Sequence, residues 1–201
     1  MALLSLFENN YEKTLMWVLI GVFLDSFDGL VARAFRATTE IGKQLDSLCD
    51  VISFGVVPGY FMYKYLSDFL SYELVPLSLS AFVVTLASIF RLARFNITPS
   101  SQLDFQGLPT PAFALFVIGI PFIPYEINPI IITVIVALLT VLMVSKIMLP
   151  SQKFVNGKPS NFFWIFAVVA IPLLLIFRSQ ALSLTVLTYA FFGMLYMRLR
   201  A

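Results

Sequence analysis

Seven continuous apolar windows constrain this chain more than any other feature: residues 12–34, 45–66, 73–94, 110–124, 127–149, 161–177 and 181–199, bounded by Pro, Gly, Asn or charged residues. A helix of about 20 apolar residues crosses a bilayer core, and most of the windows approach that length. One soluble core has no room for them. Of the 201 residues, 60% are hydrophobic and 12% charged, against roughly 45–50% and 25% in soluble domains. A membrane barrel needs segments of about ten residues alternating apolar with polar, and these runs do not alternate. The sequence therefore predicts an all-α polytopic membrane protein with about seven transmembrane helices, built as a single transmembrane domain over residues 1–201. The tight connection from Glu126 to Pro129 predicts that the fourth and fifth windows form an antiparallel hairpin.

The position of the charges is more informative than their number. A net charge of +2 leaves no broad basic face, which excludes nucleic acid as a partner. Taking alternate sides of the windows, Arg33, Arg36, Lys43, Arg91, Arg94, Lys146, Lys153, Lys158, Arg198 and Arg200 fall on one side, and Lys13, Lys64 and Arg178 on the other. The cation-rich side is expected to be cytoplasmic in a multi-pass protein of the cell membrane. The chain has no histidine and a single cysteine, Cys49, which removes imidazole bases, His-ligated metals and internal disulfides. Any catalysis must run on carboxylates, hydroxyls, lysines or arginines.

Five of the eleven acidic residues lie between Asp25 and Asp50. A carboxylate at a span centre costs roughly 2.5–3.5 kcal/mol, so acids in apolar helices need a functional reason. Asp25 and Asp28 stand three apart near the cytoplasmic end of the first window, and Asp46 and Asp50 four apart at the start of the second, so each pair shares a helix face. The short connection makes the two helices antiparallel, and all four carboxylates can reach one pocket. Such charges repel in low dielectric unless cations neutralise them. Oxygen ligands without His or Cys favour Mg²⁺ or Mn²⁺, here as two ions about 3.5–4 Å apart, an arrangement suited to phosphoryl transfer. Gly29 and Gly42 remove side chains one turn from Asp25 and Asp46, where a substrate or a second helix would approach. Arg33 can meet phosphate oxygens, and Thr39 offers a hydroxyl. Taken singly the glycines read as helix packing; beside four aspartates that reading loses its force.

The run Asp25-Ser26-Phe27-Asp28-Gly29-Leu30-Val31-Ala32-Arg33, followed by Gly42-Lys43-Gln44-Leu45-Asp46-Ser47-Leu48-Cys49-Asp50, matches D-x-x-D-G-x-x-A-R…G-x-x-x-D-x-x-x-D at all eight fixed positions over 26 residues. This pattern resembles the CDP-alcohol phosphatidyltransferase family. The resemblance implies a membrane enzyme in which an alcohol attacks the β-phosphate of a CDP-linked lipid and CMP leaves. It implies that Asp25, Asp28 and Asp46 hold the divalent ions, and that Asp50 contributes to the second ion and acts as the base on the incoming hydroxyl. Gly29, Arg33 and Thr39 would contact the cytidine nucleotide and its diphosphate. A homodimer is implied by the resemblance alone.

A further stretch, Ser88-Ile89-Phe90-Arg91-Leu92-Ala93-Arg94-Phe95-Asn96, then Phe105-Gln106-Gly107-Leu108-Pro109-Thr110-Pro111-Ala112, with Ser53-Phe54-Gly55 and Pro58, is similar to the phosphatidylserine synthase branch of that family. The resemblance covers most of residues 18–115, and the later windows match only in character. It implies L-serine as acceptor and a CDP-linked lipid, diacyl or isoprenoid ether, as donor. Arg91 and Arg94, three apart at a cytoplasmic helix end, suit an amino-acid carboxylate held by a bidentate contact. Arg94 is the stronger candidate for serine, and Arg91 fits either serine or the lipid phosphate; the competing reading makes both topology anchors. Glycerol 3-phosphate or inositol phosphate as acceptor would favour a denser cationic pocket than these scattered cations provide. A cation-coupled transporter would carry its acids near the midplane and interrupted helices in both halves, whereas these acids lie near one face in the first quarter of the chain. The resemblance also implies eight spans where seven are counted. The opening Met1-Ala2-Leu3-Leu4-Ser5-Leu6-Phe7 resembles only the tail of an N-terminal one, so a start upstream of Met1 is expected.

Overall fold

The computed structural model describes residues 1–34, 39–69, 78–97, 105–125, 127–150, 154–155, 158–159 and 161–200, and within these not the side chains of 26, 28–34, 69, 105, 154–155, 158–159, 161–165, 174–175, 178 and 200. The described residues are overwhelmingly helical, joined by two-residue antiparallel pairings. Contacts gather them into two compact units, Met1–Thr98 and Pro99–Ala201.

In the first unit, α1 (Ala2–Phe7) turns into α2 (Tyr11–Ala34) at Asn9, whose φ is 57°, and the Asn10 side chain caps α2 by accepting from Lys13 N at 2.9 Å. Lys64 reaches back to this corner, donating to Leu6 O at 3.2 Å and to the Asn9 side chain. Its charge therefore satisfies the C-terminal carbonyl end of α1, which accounts for one of the few cations on the sparse side. A continuous helical rod comes next: α3 (Glu40–Asp50), a π-helical turn (Val51–Val56) and α4 (Val57–Phe69). Helix α5 (Val83–Ile97) packs along that rod. The approach is close because Gly55 and Gly59 offer no side chain: a Cβ on Gly55 would sit 3.0 Å from Ser88 Cβ, and one on Gly59 would overlap Thr85 Oγ1. Thr85 uses that proximity to donate to Gly55 O at 3.0 Å.

In the second unit, α6 (Thr110–Gly119) runs into a 3₁₀ turn (Ile120–Phe122), and α7 (Pro129–Val144) starts from Asn128, whose side chain accepts from Ile130 N at 2.9 Å. The packing of α6 on α7 agrees with the expected hairpin. Ahead of α6, β1 (Phe105–Gln106) pairs with β2 (Met148–Leu149), and Gly107 N donates to Ile147 O at 2.8 Å. Gly107 has φ 72°, and any side chain there would run into the Met143 carbonyl. The Phe105-Gln106-Gly107-Leu108 motif is thus a clamp that fastens the start of α6 to the end of α7. A second pairing, β3 (Phe154–Val155) with β4 (Lys158–Pro159), precedes α8 (Asn161–Phe177). Helix α9 (Ala181–Arg200) lies against α6, where Ser183 Oγ donates to Phe116 O at 2.8 Å beside Gly119, and Tyr189 OH donates to Pro150 O at 3.1 Å.

Each expected window contains a helix where it is described, but the fifth, expected to run to residue 149, is helical only to Val144, and its last two residues form β2 instead. Among the described residues three stretches, Glu40–Asp68, Ser78–Ile97 and Ala181–Leu199, are long and apolar enough to cross a membrane, while Thr110–Phe122 and Pro129–Val144 are shorter apolar helices. The helical exteriors are apolar: Phe23, Leu86, Leu138 and Val168 are each more than 60% exposed. A bilayer covers such a surface; water would not tolerate it.

Candidate active site

Helix α3 carries the second half of the acidic motif, and its start is fixed locally. Thr39, in extended conformation, accepts from Gly42 N at 3.0 Å through Oγ1 and so forms the N-cap. A Cβ on Gly42 would stand 3.0 Å from that oxygen, so the glycine serves the cap as well as leaving the surface open. Glu40 pairs with Lys43 at 2.9 Å on the exposed side. One turn further on, Asp46 is exposed and Asp50 half-buried, and the π turn begins at the next residue. A π turn inside an α-helical rod rotates the downstream helix about the axis relative to the upstream one, and such turns concentrate at functional sites. Here it lets the Asp46–Asp50 face point one way while Phe54, Gly55 and Gly59 pack inward.

The contacts between the rod and α5 keep one antiparallel register over about three helical turns. Gly59 meets Thr85, Gly55 meets Ser88, and Ser47 meets Asn96. In that register Arg94 is level with Cys49, between Asp46 and Asp50, and Arg91 is level with the first residues of the π turn. Arg91 is buried at 6% exposure and Arg94 half-buried. At the end of α5, Asn96 makes a two-point contact: Ser47 Oγ donates to Asn96 Oδ1 at 3.1 Å, and Asn96 Nδ2 donates to Ser47 Oγ at 2.9 Å. Asn96 Nδ2 also approaches Gln44 Oε1 at 3.4 Å.

Helix α2 meets the same rod where the Phe54 ring, 1% exposed, covers Gly21, with ring atoms 3.8 Å from where a Cβ would be. Only five residues separate α2 from α3, so the helices run antiparallel. Asp25 lies one turn past Gly21 and Asp50 one turn before Phe54, which brings both carboxylates to one level on neighbouring helices. Asp25 is half-buried. Asp28, Gly29 and Arg33 belong to the α2 backbone, but their side chains lie outside the described residues.

The structure thus brings Asp25, Asp46, Asp50, Arg91 and Arg94 to one end of the first unit, with Thr39 at the base of α3. The described carboxylates at this end, Asp25, Asp46 and Asp50, offer oxygen donors, the ligand type that suits a hard divalent cation. No three acidic side chains among the described residues converge on one point, and the fourth carboxylate, Asp28, is outside them. Three polar residues of this end were not singled out from the sequence: Gln44, Ser47 and Asn96. Ser47 lies inside the acidic motif and Asn96 closes the Arg-x-x-Arg-x-Asn segment, but nothing in the sequence pairs them.

The CDP-alcohol phosphatidyltransferase family model matches residues 1–143. A CDP-diacylglycerol–serine O-phosphatidyltransferase of Bacillus subtilis is 33% identical over 153 residues, covering 76% of this chain and 83% of that protein. One of the same name from Methanocaldococcus jannaschii is 34% identical over 195 residues, covering 96% and 86%. An archaetidylserine synthase of Methanothermobacter thermautotrophicus is 34% identical over 117 residues, covering 57% and 48%. With the acidic motif complete on α2 and α3, and the model match extending over more than two thirds of its length, the chain belongs to the CDP-alcohol phosphatidyltransferase family.

Proposed function

We propose that this protein transfers the phosphatidyl group, or its isoprenoid ether equivalent, from a CDP-linked lipid to the hydroxyl of L-serine and releases CMP. The observation that carries the choice of acceptor is the register of α5 on the rod: Arg94 is level with the Asp46–Asp50 turn. A guanidinium there can grip an amino-acid carboxylate while the amino acid's hydroxyl reaches the acids. The relatives named as serine transferases support the same acceptor.

Enzymes of this family generally depend on a divalent metal. In this proposal Asp25, Asp28, Asp46 and Asp50 would hold two ions, Mg²⁺ or Mn²⁺, which when bound position the diphosphate and stabilise charge on its oxygens. The chain's own residues do the rest. Gly29, Arg33 and Thr39 seat the cytidine nucleotide and its diphosphate. Arg94 orients serine through its carboxylate, with Arg91 beside it or on the lipid phosphate. Asp50 takes the serine hydroxyl proton as the new O–P bond forms at the lipid-bearing phosphorus. The bond from that phosphorus to the bridging oxygen breaks, CMP leaves with the electron pair, and the proton passes from Asp50 to solvent.

The proposal includes a multi-pass topology in which the seven apolar windows, the shorter α6 and α7 among them, all lie in the membrane and the acidic end faces the cytoplasm, supported by the bias of cations to that side. A homodimer, supported by family membership, belongs to it too. The test is product formation: detergent-solubilised protein given CDP-lipid, Mn²⁺ or Mg²⁺ and labelled L-serine should yield a labelled lipid. Labelled glycerol 3-phosphate or inositol phosphate in its place should yield none. A lipid carrying either of these and not serine would overturn the choice of acceptor.

A further inference from the structure

We propose that Asn96 is a positioning residue for the acceptor half of the reaction, acting through its two-point contact with Ser47. The inference rests on the serine-transfer reading and deepens it. Below the Gly59–Thr85 and Gly55–Ser88 contacts, the rod and α5 are held at the site end by polar groups. There Ser47 and Asn96 exchange hydrogen bonds at 3.1 and 2.9 Å, supplemented by Gln44 at 3.4 Å.

The location gives this bond its consequence. Ser47 comes directly after Asp46 and stands three residues before Asp50, so its position is rigidly coupled to both carboxylates by the helix. Asn96 stands two residues after Arg94 on the last turn of α5. The bridge therefore fixes the distance between the proposed proton acceptor and the proposed carboxylate grip. Serine is short: its carboxylate and hydroxyl are separated by two carbons, so it can satisfy Arg94 and Asp50 together only over a narrow range of helix separation. A shift of about 1 Å between these helices costs alignment of the attacking hydroxyl and leaves the nucleotide half, held from α2 and α3, in place. Apolar contacts at this end would allow α5 to slide or roll; reciprocal hydrogen bonds do not.

The experiment compares the parent with Asn96→Ala, Ser47→Ala and the double variant, in detergent with Mn²⁺. It reads serine-dependent CMP release, and separately CMP binding by titration. Each single variant should lose about tenfold in kcat/KM for serine, with KM for serine raised and KM for CDP-lipid unchanged. The double variant should lose no more than either single one, because both remove the same bond. CMP affinity should stay within twofold of the parent in all three.

Losses that multiply to about a hundredfold in the double variant would overturn the proposal, as would CMP binding that falls in step with activity, the mark of a merely structural role. Parent-like serine kinetics in Ser47→Ala, a substitution small enough to leave the fold intact, would also overturn it. A parent that binds CMP yet shows turnover only with an acceptor other than serine would instead refute the serine reading, and the inference with it.

Discussion

Replacing Asp50 with asparagine should reduce CMP release by about a thousandfold while CMP binding remains measurable. The substitution preserves shape and most hydrogen bonding but removes the one function proposed for this residue alone, acceptance of the hydroxyl proton. Asp50 is suited to that function by its position. It is the last residue of α3, half-buried, directly before the π turn, and level with Asp25 across the Gly21–Phe54 contact. A π turn inside a continuous helix changes which way the side chains on either side of it face, and such turns concentrate at functional sites. The check is steady-state CMP release paired with CMP titration on the same preparation. A rate within tenfold of the parent would transfer the base role elsewhere.

Arg94→Ala should act on the other substrate. KM for serine should rise about a hundredfold, in line with the loss of one partner of a hydrogen-bonded charge pair, with KM for CDP-lipid within about twofold of the parent. Arg94→Lys should fall between the two, since it keeps the charge and loses the planar two-point grip. Initial-rate measurements with each substrate varied in turn separate these outcomes. An unchanged KM for serine in Arg94→Ala would leave the residue as a membrane-face anchor. A loss that falls on CDP-lipid instead would give it the lipid phosphate, the role otherwise open to Arg91, which is the more buried of the two.

What could be read in advance divides along physical lines. The helices were legible because apolar windows bounded by breakers mark them directly, and α2, the rod, α5 to α7, α8 and α9 lie where those windows do. The number of membrane crossings was less so: α6 and α7 are apolar but short, and length decides spanning. The acidic pairs were legible because a helix repeats every three to four residues, so spacing alone puts Asp46 and Asp50 on one face. Thr39 and Gly42 carried a second meaning, the α3 cap, that the motif alone does not show. The π turn was invisible, since Val51 to Val56 contains nothing that distinguishes it from ordinary helix. The Ser47–Asn96 bridge was equally hidden, because it depends on the register between two helices, the bonded residues standing 49 positions apart in sequence. That register is set by Gly55 and Gly59, whose four-residue spacing is a weak signal until the partner helix is known.

The central claim is that acids from two different helices form one divalent-ion site. Electron paramagnetic resonance of Mn²⁺, titrated into the purified protein in the presence of CMP, tests it most directly. The parent, Asp25→Asn on α2 and Asp46→Asn on α3 should be compared side by side. Both substitutions should weaken Mn²⁺ binding by at least about tenfold, since each removes one carboxylate from a shared ligand set. Parent-like Mn²⁺ affinity in either variant would mean that the ion is held without that helix, and would contradict a site shared between α2 and α3.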